Sequence, residues 1–327
     1  MTSTRPRVVL LDRGSLAPDS LHWDRWQELR IDLQVYDNTR PERVLERIQE
    51  ATAVLTNKVV LTNETMSSCP KLRFISVMAT GVNNIDLTAA RKNNIVVSNA
   101  RDYGTESVAQ HTWMLILALS HRLYEYQTML RQNAWSEQPF FALLKPTKTE
   151  LTGKTLGLIG LGTLGRAVAQ KASAFGMKVC ALASVQEAPT PVDFEVERLQ
   201  LSELLARSDV LSLHCPLTED NLGLINKESL SLMKPGALLI NTARGGLIDN
   251  QALLSALKSG HLGGAALDTL ETEPPPSNHP LITSGLPNLL ITPHHAWGSQ
   301  RARQKLLDQT LDNLIAFLDG CPIRQVL

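Results

Sequence analysis

The sequence is short of the features that would place it outside the ordinary run of globular proteins. It carries no net charge: 32 lysines and arginines balance 32 aspartates and glutamates, and no long basic block occurs. A nucleic-acid surface therefore has no electrostatic support. Cysteine is scarce, and Cys69, Cys180, Cys215 and Cys321 are scattered without C-x-x-C or zinc spacing. Reduced thiols in a cytoplasmic protein are the simplest reading, and no metal is expected. The longest apolar run, Trp113 to Leu119, is too short to span a bilayer. The opening residues hold no signal-peptide core, because Val8-Val9-Leu10-Leu11 is too brief for one. Repeats of solenoid period are absent as well. What remains is 43% hydrophobic and 20% charged residues over 327 positions, enough for about two domains with full cores.

The chain is organised around Leu156-Gly157-Leu158-Ile159-Gly160-Leu161-Gly162-Thr163-Leu164-Gly165-Arg166. An apolar run of strand length ends in G-x-G-x-x-G, and a helix pattern from Arg166 to Ala172 follows. That context is what a dinucleotide-binding turn needs. Gly160 makes the tight turn, Gly162 lets the backbone approach a pyrophosphate, and Gly165 lets helix and strand pack closely. The helix N-terminus then receives the phosphate charge.

Strand-like and helix-like stretches alternate on both sides of this turn, which implies an α/β fold with parallel sheets. Before it, strands are expected at 7–12, 33–36, 53–56, 72–77 and 95–98. The turn Met78 to Asp86, directly after one of them, reads either as an anion-holding loop, through N–H groups at Ala79 to Gly81, or as a plain connection. From Thr105, a credible N-cap, one long helix is expected to about Arg131. Residues 132–150 are irregular and rich in aromatic residues and proline, and their large apolar side chains suit either a partner subunit or their own chain. After the turn, strands are expected at 178–182, 209–214, 237–241, 264–268 and 289–292, and a charged amphipathic helix over about 299–320.

Three ionisable residues stand at or just beyond strand ends: Arg244 after Ile240-Asn241-Thr242-Ala243, Glu273 after Asp268, and His294 after Ile291-Thr292-Pro293. Singly, each has a bland reading as a loop or surface residue. Together, a cation, a carboxylate and an imidazole on the edge that carries the phosphate turn are what reduction of a 2-oxo acid requires.

The chain resembles the D-isomer-specific 2-hydroxyacid dehydrogenases over nearly all its length. The motifs are Ala79-Thr80-Gly81-Val82-Asn83-Asn84-Ile85-Asp86, Tyr103-Gly104-Thr105-Glu106-Ser107-Val108-Ala109, the glycine turn, and His214-Cys215-Pro216-Leu217-Thr218. Met233-Lys234-Pro235-Gly236-Ala237, Asn241-Thr242-Ala243-Arg244-Gly245-Gly246 and Thr292-Pro293-His294 continue the series. Within the family the chain is most similar to glycerate dehydrogenases (hydroxypyruvate reductases), through Gln110-His111 and His294-His295-Ala296-Trp297-Gly298-Ser299. The resemblance implies two doubly wound, Rossmann-like domains with a cleft between them. A flavodoxin-like substrate domain would take residues 1–103 and 299–327, and a dinucleotide-binding domain residues 104–298.

The resemblance also implies roles. Arg244 would grip the substrate carboxylate, His294 would pass the proton, and Glu273 would pair with His294. Substrate contact would extend to Ala79, Thr80 and Gly81. Thr105, Gly160, Gly162, Thr163, Leu164, Gly165, His214, Pro216, Thr242, Ala243 and Asp268 would contact NAD or NADP. His295 reads as non-catalytic. A small 2-oxo or 2-hydroxy acid is the implied substrate and a homodimer the implied assembly. Phosphite oxidation keeps a similar triad, and some relatives are dinucleotide-sensing corepressors; neutral charge speaks against the latter. Formate oxidation is disfavoured, since its histidine partners a glutamine rather than a glutamate.

One position departs from the pattern. An Asp or Glu about 20 residues beyond the glycines normally binds the ribose hydroxyls of NAD. Ala183 stands there, followed by Ser184-Val185-Gln186-Glu187, and no neighbouring arginine is evident in the sequence. Relaxed choice between NAD and NADP is the expectation.

Overall fold

The apolar runs of the first hundred residues become five short parallel strands in the computed structural model, which describes residues 5–183 and 194–326. These are β1 (Arg7–Leu10), β2 (Asp32–Val35), β3 (Ala53–Thr56), β4 (Phe74–Val77) and β5 (Val96–Ser98). Their order is β2-β1-β3-β4-β5, the flavodoxin-like doubly wound arrangement. Every residue of β3 and β4 is buried, as parallel strands covered on both faces must be. The structure divides into two units, residues 1–104 with 298–327 and residues 105–297. The last helix, Gln300–Leu318, therefore packs with the first unit. Its Phe317 ring stacks on Phe74 at 4.5 Å. Its Asn313 donates to the Asn99 carbonyl at 2.9 Å, tying the helix to the end of β5.

The second unit holds seven parallel strands: β6 (Thr155–Ile159), β7 (Lys178–Leu182), β8 (Glu197–Leu199), β9 (Val210–Leu213), β10 (Leu238–Asn241), β11 (Gly264–Leu267) and β12 (Leu289–Ile291). The order β8-β7-β6-β9-β10-β11-β12 is the Rossmann order with a seventh strand added at one edge. The winding reverses between β6 and β9, which are neighbours in the sheet though two strands separate them in the chain. Helices α1 (Thr105–Ser120), α2 (Leu123–Arg131), α3 (Thr163–Ala172), α4 (Leu201–Arg207), α5 (Lys227–Leu232) and α6 (Asn250–Lys258) belong to this unit. One core gathers α1 and α3 against the sheet, where Trp113 stacks on Phe175 at 4.5 Å and its indole donates to the Val168 carbonyl. A second core, with Leu204, Leu205, Leu253 and Leu257, covers the other face.

Two local readings change. The expected single helix over 105–131 is two helices, because Arg122 adopts a left-handed φ of 54° and its guanidinium pairs with Glu125 at 2.8 Å. Thr105 is the first helical residue and not the cap. The sequence reading also lacks β8, which pairs in parallel with β7 in the register Cys180↔Glu197, Ala181↔Arg198, Leu182↔Leu199. Among the described residues no helix is long and apolar enough to cross a membrane.

Candidate active site

The glycine turn is dictated by backbone proximity. Gly160 has φ 102°, and a Cβ there would lie 2.7 Å from the Cys215 nitrogen and from the His214 carbonyl carbon. The turn after β6 thus presses on the loop after β9, at the point where the winding reverses. A Cβ on Gly165 would meet the Gly160 oxygen at 2.1 Å, so the first turn of α3 sits directly on the loop. Gly162, the N-cap of α3, has nothing within 4 Å of its absent Cβ. That open space beside a helix N-terminus, where Thr163 and Leu164 begin α3, is a cradle of the kind a pyrophosphate fills. The described residues fit a dinucleotide on this observation.

His214 closes the other side of the turn. Its N–H donates to the Ile159 carbonyl at 2.7 Å, and its Nε2 meets the Ser212 hydroxyl at 2.9 Å. Its Nδ1 is buried and has no hydrogen-bond partner among the described residues. Burial pushes this imidazole down to about 4, so the ring is neutral near pH 7. Pro216, two residues on, is exposed.

Beyond β10, Thr242 and Ala243 are buried and Arg244 is exposed. Asn241 shapes this corner by accepting from Ala243 N–H and donating to the Arg244 carbonyl. The Arg244 guanidinium donates to the Ala243 carbonyl at 2.7 Å and forms no ion pair among the described residues. A Cβ on Gly245 would lie 2.0 Å from the Leu270 carbonyl carbon, so this corner is pressed against the segment that leads to Glu273.

Glu273 is held at both oxygens. Oε1 accepts from Leu270 N–H at 2.9 Å, and Oε2 lies 2.6 Å from His294 Nδ1. His294 itself has a left-handed φ of 50°, uncommon for a residue with a side chain. Its N–H donates to the Asp268 carbonyl at 2.8 Å, and its own carbonyl accepts from the Trp297 indole at 3.1 Å. With Nδ1 turned to Glu273, Nε2 makes no hydrogen bond among the described residues.

Asp268 is buried, and its carboxylate is occupied by protein donors: the Thr292 hydroxyl at 2.6 Å, His295 N–H at 3.1 Å and Ala296 N–H at 2.9 Å. It clamps the chain on both sides of His294. His111 extends the clamp from α1 through Nε2 to the Thr292 hydroxyl at 3.0 Å, and Ser107 donates to the Ala296 carbonyl at 2.7 Å. Burial pushes the His111 imidazole down, against the pull of Asp268, and neighbouring His295 adds to the fall. The donor atoms of His111, Asp268 and His295 lie within 4.8 Å of one another. Sequence reasoning singled out His111 only through the resemblance and did not see Ser107 or Thr292 as supports, since nothing local marks a hydroxyl that reaches another strand end.

In the first unit, Ala79 and Thr80 give their carbonyls to Ala100 N–H and to the Asn99 side chain. The N–H groups of Ala79, Thr80 and Gly81 donate to no acceptor among the described residues.

Ala183 follows β7 and donates its N–H to the Leu199 carbonyl at 2.8 Å; Ser184 to Glu187 lie outside the described residues. The neighbouring strand brings an arginine that the sequence reading did not place there. Arg198 on β8 donates to the Leu182 carbonyl at 3.4 Å, at the end of β7.

A glycine turn at the switch point of a Rossmann sheet, with a carboxylate–imidazole pair and an unpaired guanidinium in the same unit, defines a dinucleotide-dependent oxidoreductase. Comparison with known proteins gives the particular kind. Residues 113–296 match the D-isomer specific 2-hydroxyacid dehydrogenase, NAD binding domain. The chain is 37% identical to a hydroxypyruvate reductase of Blautia hydrogenotrophica, covering 98% of this chain and 99% of that one. It is 40% identical to a glycerate dehydrogenase of Methylorubrum extorquens, covering 97% of each. A solved structure of a protein from Thermus thermophilus superposes with a TM-score of 0.86 at 37% identity, covering 98% of this chain and all of that one. A solved acyclic imino acid reductase in complex with NADPH and D-Arg superposes with a TM-score of 0.85 at 30% identity, covering 98% and 100%. The chain belongs to the D-isomer-specific 2-hydroxyacid dehydrogenase family.

Proposed function

We propose that this protein reduces a short 2-oxo acid, hydroxypyruvate first and glyoxylate next, to the 2-hydroxy acid, and that it works as a homodimer. The observation that carries the reading is the 2.6 Å contact between His294 Nδ1 and Glu273, which fixes the ring and turns Nε2 outward. Arg244 takes the substrate carboxylate, because its planar fork matches two oxygens and no ion pair among the described residues competes for it. Nε2 of His294 gives its proton to the 2-oxo oxygen, and Glu273 stabilises the charge until the proton is lost. A nicotinamide held by this unit would supply the hydride to the 2-oxo carbon. Gly160, Gly162 and Gly165 with the N-terminus of α3 hold its pyrophosphate. Thr105, His214, Pro216, Thr242, Ala243 and Asp268 are the further dinucleotide contacts proposed. In the first unit, the N–H groups of Ala79, Thr80 and Gly81, which meet no acceptor among the described residues, are proposed as its anion-binding element.

The preference for these substrates draws on the relatives named hydroxypyruvate reductase and glycerate dehydrogenase. Oxidation of reduced nicotinamide should be followed with hydroxypyruvate, glyoxylate and pyruvate, and the reverse reaction with D-glycerate and phosphite. Fastest turnover with hydroxypyruvate supports the reading, and a better phosphite or pyruvate reaction replaces it. Binding of the dinucleotide with no turnover of any 2-oxo acid would indicate a sensing protein instead.

A further inference from the structure

We propose that Arg198 is the residue that receives the 2′-phosphate of NADP(H), so that this chain selects the phosphorylated cofactor. The proposal rests on reading the second unit as a nicotinamide dinucleotide site. In Rossmann sheets the adenosine ribose lies beyond the end of the second strand, where an acidic residue binds its hydroxyls or an arginine accommodates a 2′-phosphate. Here the second strand is β7, and Ala183 is the first residue beyond its end. No carboxylate stands at that position to repel a phosphate.

The arginine comes from the next strand. In the parallel register of β7 and β8, Arg198 stands opposite Ala181. Its Nη1 nevertheless donates to the carbonyl of Leu182, so the side chain runs towards the carboxyl end of β7. Its neighbours on β8 point the other way. Glu197 is held by Arg207 of α4, and Leu199 is buried with Leu204 and Leu205 of the same helix. By strand alternation Arg198 therefore stands on the opposite face, where α3 packs and where Val196 joins its core. The phosphate-binding helix and the guanidinium thus share one face of the sheet. Arg198 forms no ion pair among the described residues, whereas the adjacent Glu197 is neutralised by Arg207. Among the described residues its guanidinium makes one weak backbone bond, and a planar guanidinium is the group best suited to a phosphate.

Binding measures this without turnover. The Kd values of NADPH, NADH, adenosine 2′,5′-bisphosphate and 5′-AMP should be taken by titration calorimetry for the wild type, Arg198→Gln and Ala183→Asp. The wild type is expected to bind NADPH about tenfold or more tightly than NADH, with the preference shrinking as salt rises. Arg198→Gln should remove that preference by weakening NADPH and the bisphosphate alone, leaving NADH and 5′-AMP within about twofold. Ala183→Asp should reverse the preference through the new carboxylate. A wild type that favours NADH overturns the proposal, and so does equal weakening of NADPH and NADH in Arg198→Gln, which would mark a strand-clipping role. Failure of the wild type to bind any of the four probes overturns the underlying dinucleotide reading instead.

Discussion

At the scale of single residues, the site is built by forcing His294 into an uncommon conformation and clamping it there. A left-handed φ on a non-glycine residue costs of the order of 1 kcal/mol or more, and the Asp268 network holds it by taking N–H groups from His295 and Ala296. The consequence is a ring with one nitrogen fixed on Glu273 and the other presented. His294→Gln should lower kcat for reduction about 10²–10⁴-fold, the usual worth of a positioned proton donor, while dinucleotide Kd stays near the wild-type value. Wild-type turnover in that variant would remove His294 from the proton-transfer role. Arg244→Lys should raise KM and lower kcat together, since a point ammonium cannot present two parallel donors. Arg244, Glu273 and His294 were legible as a set because each follows a strand end in an α/β chain. Their hydrogen-bonded supports were not: Ser107, His111 and Thr292 carry no spacing signal, and they meet only when α1 packs beside the ends of β11 and β12.

At the scale of elements, the three glycines of the turn do different work, and substitution separates them. Gly165→Ala forces a Cβ to 2.1 Å from the Gly160 carbonyl oxygen, and Gly160→Ala adds a left-handed backbone to a clash with the loop after β9. Both should lower Tm measurably, by the several degrees that about 1–3 kcal/mol represents. Gly162→Ala meets nothing within 4 Å, so its Tm should hold while dinucleotide affinity falls. A Gly162→Ala variant with unchanged affinity would mean that the open space is not the phosphate cradle. The strand-end loop opposite has its own signature. Burial lowers the His214 pKa from an ordinary value near 6.5 to about 4, so the folded state binds fewer protons than the unfolded chain between those limits. The stabilisation is present in full above about pH 6.5 and is lost as pH falls towards 4. Tm of the wild type should therefore drop more steeply over that interval than Tm of His214→Asn, and equal slopes would show that the ring is not desolvated.

The element reading succeeded where apolar runs are continuous and ended by glycine or a polar turn, as at β6, β9, β10 and β11. It failed at β8, because Glu197-Arg198-Leu199 is a short edge strand with two charged residues and no apolar run to mark it. The missed strand is the one that carries Arg198 to the end of β7, so a failure of periodicity became an omission at the cofactor site. It failed again at Arg122, where apolar residues continue on both sides and only the backbone turns.

At the scale of the whole molecule, the segment between α2 and β6 is where the proposed homodimer can be tested. Residues 132–150 carry neither helix nor strand, yet they are not loose chain. The Trp135 indole donates to the Phe141 carbonyl at 2.9 Å, Tyr126 donates to the Pro146 carbonyl at 2.7 Å, and Thr149 N–H donates to the Ser120 carbonyl at 2.8 Å. These bonds hold the segment in a shape that presents its apolar side chains. Phe141 is 93% exposed, Leu144 74% and Phe140 72%. Leu123, Tyr124 and Trp135 extend the same exposed stretch. A cluster of large apolar groups fixed outward by hydrogen bonds is the sign of a surface made to be covered. Covering each such side chain is worth roughly 2–3 kcal/mol, and a twofold assembly would bury two sets at once. The protein should therefore sediment as a dimer at micromolar concentration. Phe141→Asp should shift it to the monomer with circular dichroism unchanged, because a side chain that touches little in the folded chain contributes little to folding it. Sedimentation of the wild type as a monomer across the micromolar range would leave the exposed segment without a partner copy and remove the homodimer from the proposed function, while the chemistry assigned to Arg244, Glu273 and His294, all within one unit, would stand.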